Sequence, residues 1–149
     1  MSLQNLLAIG RLQAQQPNAA GIAKLLQAAR RNLADAHIAQ VSTDNRFDAA
    51  YKCIMQCAML GLWANGYRTS TSQPGHHQTA TQSLGLTLGV EQPEIIVLDA
   101  LRRQRNVSDY EGDPVSTATL QACTEQAAKL LAGAESWLRT HRPDLLTPP

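Results

Sequence analysis

The chain has 149 residues, of which 44% are hydrophobic and only 4% aromatic, and its formal net charge is +1. This length fits one domain with one core, built from Leu, Ala, Ile, Met and Cys. The small net charge excludes a field of one sign over the whole molecule, although it allows a local patch. Because Ala and Leu favour helix and β-branched runs are scarce, the composition predicts an all-α bundle of about five or six helices.

The cysteines and the first residues of the chain indicate a cytoplasmic protein. Cys53, Cys57 and Cys123 form an odd set without a Cys-x-x-Cys pair, which is typical of core thiols in a reducing compartment. Residues 1–15 lack the basic and apolar regions of a signal peptide. No window approaches the roughly 18 apolar residues of a membrane span, so we expect no membrane contact.

Three helices are predicted in the first half of the chain. Ser2 can cap a short first helix, and Asn18 can cap an amphipathic second helix that ends near Gln40. Residues 42–44 can start a third helix, which is apolar nearly all round and should therefore be central, with Gly66 as its stop. The residues of the first helix expected to face inward are Leu3, Leu6, Leu7 and Ile9.

A loop and a weaker helix follow the central helix. Residues 67–75 are polar and end in Pro74-Gly75, which predicts a loop. A fourth helix is predicted from His76 to about Leu86, where several threonines lower the helix propensity. Gly89 is expected to close this helix.

The β-branched residues 94–99 are the part of the sequence that most resembles a strand. However, Ile95, Leu98 and Leu101 recur at helical spacing, and Pro93 suits a first helical position. We therefore expect a helix here and no sheet anywhere in the fold.

The last predicted helix starts after a break at residues 112–114. Asp113 is expected to cap it and Pro114 to occupy its first turn, and Arg142-Pro143 should end it. The tail is expected to fray from about residue 143 to Pro149. No internal repeat or second domain is predicted, so residues 1–149 should form a single domain.

The densest group of polar side chains lies in residues 101–112. Arg102 and Arg103 can complement the dipole at a helix end, a role that needs no ligand. Arg105 differs, because its spacing from the leucines before it turns the guanidinium toward the apolar face. A half-buried guanidinium needs acceptors, which Asp109 or Tyr110 could supply, so a structural network and a binding site both stay open.

The sequence Arg105-Asn106, followed after a turn by Tyr110, resembles the signature of HEPN domains. The resemblance extends from about Leu25 to Leu138. It includes three further stretches that match the family's layout in order and spacing. Residues 25–36 resemble its amphipathic helix, residues 46–52 with the run to 66–68 resemble its central helix, and residues 74–77 resemble the start of its third helix.

This resemblance implies an up-and-down helical bundle that forms a homodimer. Many HEPN domains act on RNA or are partners of nucleotidyltransferases in toxin–antitoxin and defence systems. In the ribonuclease branch, an arginine, a following polar residue and a histidine form a metal-independent site at the dimer cleft. Carried over, Arg105 would hold the phosphate and Asn106 would assist, but Tyr110 stands where the histidine would be. A phenol with a pKa near ~10 is a poor general base at neutral pH.

We therefore expect a non-catalytic, dimeric HEPN-like module that binds a nucleotide, RNA or a nucleotidyltransferase-type partner. The alternative is a metal-independent endoribonuclease that uses Arg105 and Asn106. The four motif residues Arg105, Asn106, Asp109 and Tyr110 are expected to lie together near a cleft. The predicted ligand-binding residues are these four and Arg102.

No metal or other cofactor is expected. His76 and His77 are adjacent, and adjacent helical side chains point about 100° apart, so both cannot easily serve one site. A histidine supplied from this helix to Arg105 is a further possibility. Cys53 and Cys57 are one turn apart among apolar residues, which favours core packing over metal binding.

Overall fold

The computed structural model describes residues 1–146. It confirms the all-α fold, with seven α-helices and one small sheet in this part of the chain. The helices are α1 (Leu3–Ala8), α2 (Ala19–Asp35), α3 (Thr43–Ala64), α4 (His76–Gln82), α5 (Leu84–Thr87), α6 (Gln92–Glu111) and α7 (Thr117–His141). Within these residues, no helix is long and apolar enough to cross a membrane.

The core is built around α3. The buried side of α2 and the apolar stripe of α7 pack along it, and α4, α5 and α6 cover the rest. Apolar residues occur on nearly every side of α3, because helices surround it on nearly every side. Its largest buried side chains are Phe47, Tyr51, Ile54, Leu60 and Leu62.

Three helix starts follow the predicted capping residues. The side-chain oxygens of Ser2, Asn18 and Ser42 accept hydrogen bonds from backbone N–H groups three residues later, at 3.1, 2.8 and 3.2 Å. Each bond satisfies one of the N–H groups that a helix start leaves without a partner. The second helix ends earlier than predicted, at Asp35, and Leu7 and Ile9 of the first segment are exposed rather than inward.

A short antiparallel sheet corrects the expectation of no sheet. Strand β1 (Leu12–Ala14) pairs with β2 (Tyr67–Thr69), which begins the segment predicted as a loop. Gly66 adopts a left-handed conformation with φ of 94°, which turns the chain back after α3 and brings β2 beside β1. Residues 94–99 are helical, as predicted, since they lie within α6.

The C-terminal part differs from the prediction in two places. The last helix begins at Thr117 and is capped by Ser116, not by Asp113, because residues 113–115 form no helical turn. The backbone N–H of Val115 donates to the Asp44 carboxylate at 2.7 Å, which fixes this connection against the start of α3. The expected fraying does not begin at residue 143, since Pro143–Leu145 form a 3-10 turn with a buried leucine. Residues 147–149 of the predicted tail lie outside the described part of the chain.

Candidate functional site

Helices α3, α4 and α6 meet around the buried Tyr51 of α3. Arg105 extends from α6 on the same side as Leu98 and Leu101, as its spacing predicted. Its guanidinium carbon lies 5.2 Å from the centroid of the Tyr51 ring, within the range of a cation–π contact. We call the group formed by Tyr51, His77, Arg105, Asp48 and Asp109 the Tyr51 cluster.

Carboxylates surround the guanidinium of Arg105. Its Nε lies 3.3 Å from Asp109 Oδ2 and 3.9 Å from Asp48 Oδ1, and the Arg105 side chain is 29% exposed. Of the two acceptors that the sequence offered, Asp109 and Tyr110, it is Asp109 that pairs with Arg105. Two negative charges therefore lie beside the Nε side of this guanidinium and offset its positive charge.

The two neighbouring arginines are paired in the same way. Arg102 Nε lies 2.9 Å from one oxygen of Asp99, and Arg103 lies 3.0 Å from the other. Three guanidinium groups on this part of α6 thus share three carboxylates at close range. Opposite charges at this separation cancel each other's field over a short distance, so the region has little excess positive potential.

Two of the predicted site residues, Asn106 and Tyr110, are exposed on α6. Tyr110 is 87% exposed, and Asn106 is also exposed. Tyr110 is five positions after Arg105 on α6, which is a rotation of one full turn plus about 140° around the helix axis. Tyr110 therefore lies well away from the side of α6 that carries Arg105. The prediction that all four motif residues lie together is wrong for Tyr110, whereas Arg105 and Asp109 do meet.

His77 is the main feature of the cluster that the motif did not include. Its Nδ1 lies 3.4 Å from the hydroxyl oxygen of Tyr51, and the ring of His76 meets it edge-on. Burial lowers the pKa of His77, and the positive charges of His76, Arg105 and Arg102 lower it further. The imidazole is therefore neutral near pH 7 and can accept a proton or a hydrogen bond.

Burial also controls the protonation of Tyr51 and Asp48. It raises the pKa of Tyr51 to about 12, so the phenol keeps its proton and can donate to His77. Burial, with the negative charge of Asp109, raises the pKa of Asp48, while Arg105 opposes this effect. The cluster thus holds a phenol donor, a neutral imidazole and a paired arginine.

The three cysteines do not belong to this site. Cys53, Cys57 and Cys123 are free and buried, in agreement with their predicted place in the core. Burial raises the pKa of Cys123 to about 12, so this thiol stays protonated. Within residues 1–146, no group of three or more His, Cys, Asp or Glu side chains is arranged to hold a metal ion.

Comparison of this chain with protein-family models, with curated proteins and with solved structures found no match. The likeness to HEPN domains therefore depends on the sequence motifs, and the functions that it implies are proposals.

Proposed function

We propose that this chain is a non-catalytic, HEPN-like module that forms a homodimer through the outward side of α6. The observation that carries this proposal is an exposed row of residues along that helix, which we call the α6 stripe. The stripe consists of Ile96, Ala100, Arg103, Val107 and Tyr110.

The α6 stripe has the spacing of a helix–helix contact. Its members follow each other at four, three, four and three positions, which keeps them within about 80° of the helix circumference. Ile96 is 61% exposed and Val107 is 37% exposed, although both are apolar. Alternating steps of three and four are those with which two helices interlock, and exposed apolar rows often mark contact sites.

A second copy fits the α6 stripe because the row is self-complementary. A two-fold axis at Arg103 would set Ile96 against Tyr110 of the second copy, and Ala100 against its Val107. The two Arg103 side chains would meet at the axis. Each would remain paired with Asp99 of its own chain. The positive charges of both Arg103 side chains would then be compensated. A nucleotidyltransferase-type partner that bound the α6 stripe would have to compete with the second copy.

The Tyr51 cluster supports this role from the other side of α6. A phosphate group would have to compete with the negative charges of Asp109 and Asp48 for Arg105, which works against a catalytic phosphate site. The cluster instead fixes α6 to α3, so the α6 stripe is presented on a rigid helix. Arg105 is thus a positioning residue for the interface.

Val107→Glu tests the dimer, with Val41→Glu as its matched control. Val41 is 38% exposed and lies between α2 and α3, away from the α6 stripe. A carboxylate in the apolar contact should weaken association at least about tenfold, because its unpaired burial costs more than ~1.4 kcal/mol. Sedimentation should show a dimer for the wild type and for Val41→Glu, but a monomer for Val107→Glu. A wild-type monomer at high micromolar concentration, or equal behaviour of the two variants, would refute the proposal.

One observation favours a second candidate function, the metal-independent endoribonuclease. His77 is neutral near pH 7 and lies in the same cluster as Arg105, so it could accept the proton that Tyr110 cannot. Incubation of structured RNA with the wild type, Arg105→Ala and Arg139→Ala distinguishes the two functions. The dimer proposal predicts slow or no cleavage by all three proteins. Fast cleavage that only Arg105→Ala abolishes would identify an enzyme.

A further inference from the structure

The charges of this nearly neutral chain are unevenly distributed. Residues 1–34 and 49–90 together contain six Lys or Arg and no Asp or Glu, whereas the remaining residues contain seven Lys or Arg and twelve Asp or Glu. The first group of residues thus carries a net charge of +6, and the rest carries −5. A surface built only from the first group has no carboxylate of its own to cancel its positive charge.

Three basic side chains of these residues have no acidic partner. Lys24 and Arg31 lie on α2, and Arg68 lies on β2, and all three are exposed. Throughout the described residues 1–146, none of the three forms an ion pair, whereas Arg30 is paired with Glu135. Their charge is therefore available to an anionic ligand.

An ordered tryptophan lies among these three cations. Trp63 is half-buried near the end of α3, and its Nε1 donates to the backbone carbonyl of Gln16 at 2.8 Å. The far edge of the indole ring packs on Gly21 so closely that there is no room for a methyl group at that position. Because both contacts fix the ring, it can accept a stacking partner without a large loss of side-chain entropy.

Trp63 forms a wall of two neighbouring cavities, and each cavity contains basic residues. One has a volume of about 560 Å³ and is lined by Lys24 and Arg31 as well as Trp63. The other, of about 220 Å³, is lined by Arg68 and Trp63. Lys24 and Arg31 are seven positions apart, so they lie on the same side of α2 at a separation of ~10 Å along its axis.

We propose that Trp63, Lys24, Arg31 and Arg68, together called the Trp63 surface, bind single-stranded nucleic acid. An aromatic ring offers a stacking platform to any base, and a row of cations follows the phosphate backbone. A duplex does not offer its base faces to such a ring, and the carboxylate side chains of an acidic peptide have no aromatic face to stack on it. The Trp63 surface therefore fits an unpaired strand better than either.

This site is independent of the proposed dimer contact. Trp63 and Tyr51 are twelve positions apart on α3, a separation of ~18 Å along the helix. None of the four residues belongs to the Tyr51 cluster or to the α6 stripe. Nucleic-acid binding and dimer formation can therefore succeed or fail separately.

The test is the anisotropy of a labelled oligouridylate of about 12 nucleotides, titrated with the full chain at several salt concentrations. Three cation–phosphate contacts predict a slope of about −2 in a plot of log affinity against log salt. Lys24→Ala/Arg31→Ala should weaken binding at least about tenfold and reduce the slope to below about 1 in magnitude. Lys52→Ala/Arg139→Ala removes the same charge at two exposed positions outside the Trp63 surface and the α6 stripe, and it should bind nearly as the wild type does.

Stacking is tested in a Trp137→Phe background, in which Trp63 is the remaining tryptophan. The oligonucleotide should quench the fluorescence of Trp63, whereas polyglutamate should not, and uridine monophosphate should do so only at much higher concentration. No binding at low salt, equal loss in the two double variants, or stronger binding of polyglutamate would overturn the proposal. Binding of the mononucleotide as tight as that of the oligonucleotide would also overturn it, by pointing to a free nucleotide.

Discussion

Two aromatic residues of α3, Tyr51 and Trp63, each lie beside basic side chains, but the surroundings of the two groups differ. Near Tyr51, Arg105 and Arg102 of α6 pair with the carboxylates of Asp48, Asp109 and Asp99. Near Trp63, three cations have no such partner within the described chain. The number of basic residues is therefore a poor guide to an anion site, because the acids that folding brings beside them determine the remaining field.

The largest expected effect on stability is at the Trp63 surface. Gly21→Ala should reduce the free energy of unfolding by about 1–3 kcal/mol, because the added methyl group displaces the Trp63 ring. It should also weaken oligonucleotide binding. Gly133→Ala, at a helical glycine with open space around it, should instead stabilise the protein by about 0.5–1 kcal/mol. Urea denaturation checks both values, and equal effects of the two substitutions would argue against a fixed Trp63 ring.

A smaller effect is expected when the Tyr51 cluster is given unpaired positive charge, which the Trp63 surface already has. Asp48→Asn/Asp109→Asn removes the carboxylates around Arg105 and should increase oligonucleotide affinity by a few fold, with a salt slope steeper by about 0.7. Stability should decrease, because these half-buried ion pairs help to fix α6 to α3 and their removal leaves Arg105 without carboxylate acceptors. Asp35→Asn/Asp113→Asn makes the same charge change at other sites, and an equal gain there would show that only net charge matters.

The smallest expected effect is a pH dependence that arises from His77. Since its pKa is lowered in the folded protein, folding favours the neutral imidazole. The contribution of the neutral His77 to the free energy of unfolding is fully present above the unfolded pKa of about 6.5. It is lost as the pH falls through about 6.5 toward the lowered pKa of the folded protein. The free energy of unfolding should therefore decrease between pH ~7.5 and ~5.5, and less so in His77→Gln. An identical decrease in the variant would assign the titration to another group.

Local chemistry was enough to predict most of the helices. The caps at Ser2, Asn18 and Ser42 each depend on a hydrogen bond only three residues long, and the helical spacing of Ile95 and Leu98 correctly outweighed their β-branched surroundings. The pairing of β1 with β2 could not be predicted in this way. It joins residues more than fifty positions apart and depends on how α3 turns the chain back.

The candidate site was only partly predictable for the same reason. The pairing of Arg105 with Asp109 follows from one helical turn, but the motif gave Tyr110 a place that the helical period assigns to another side of α6. His77 reaches Tyr51 because α4 packs on α3, which no local pattern indicates. The absence of acids from residues 49–90 is visible in the sequence, but the meeting of Lys24 and Arg68 beside Trp63 depends on the fold.

The central position of α3 has a consequence for synthesis of the chain on the ribosome. One of its main packing partners, α7, begins more than fifty residues after α3 ends. At about 5–20 residues per second, the apolar surface of α3 that α7 covers would wait roughly 3–10 s for its partner. During that interval, chaperones that bind apolar segments would compete with misassembly. Slowed translation between residues 65 and 116 should therefore increase the dependence of the yield on such chaperones.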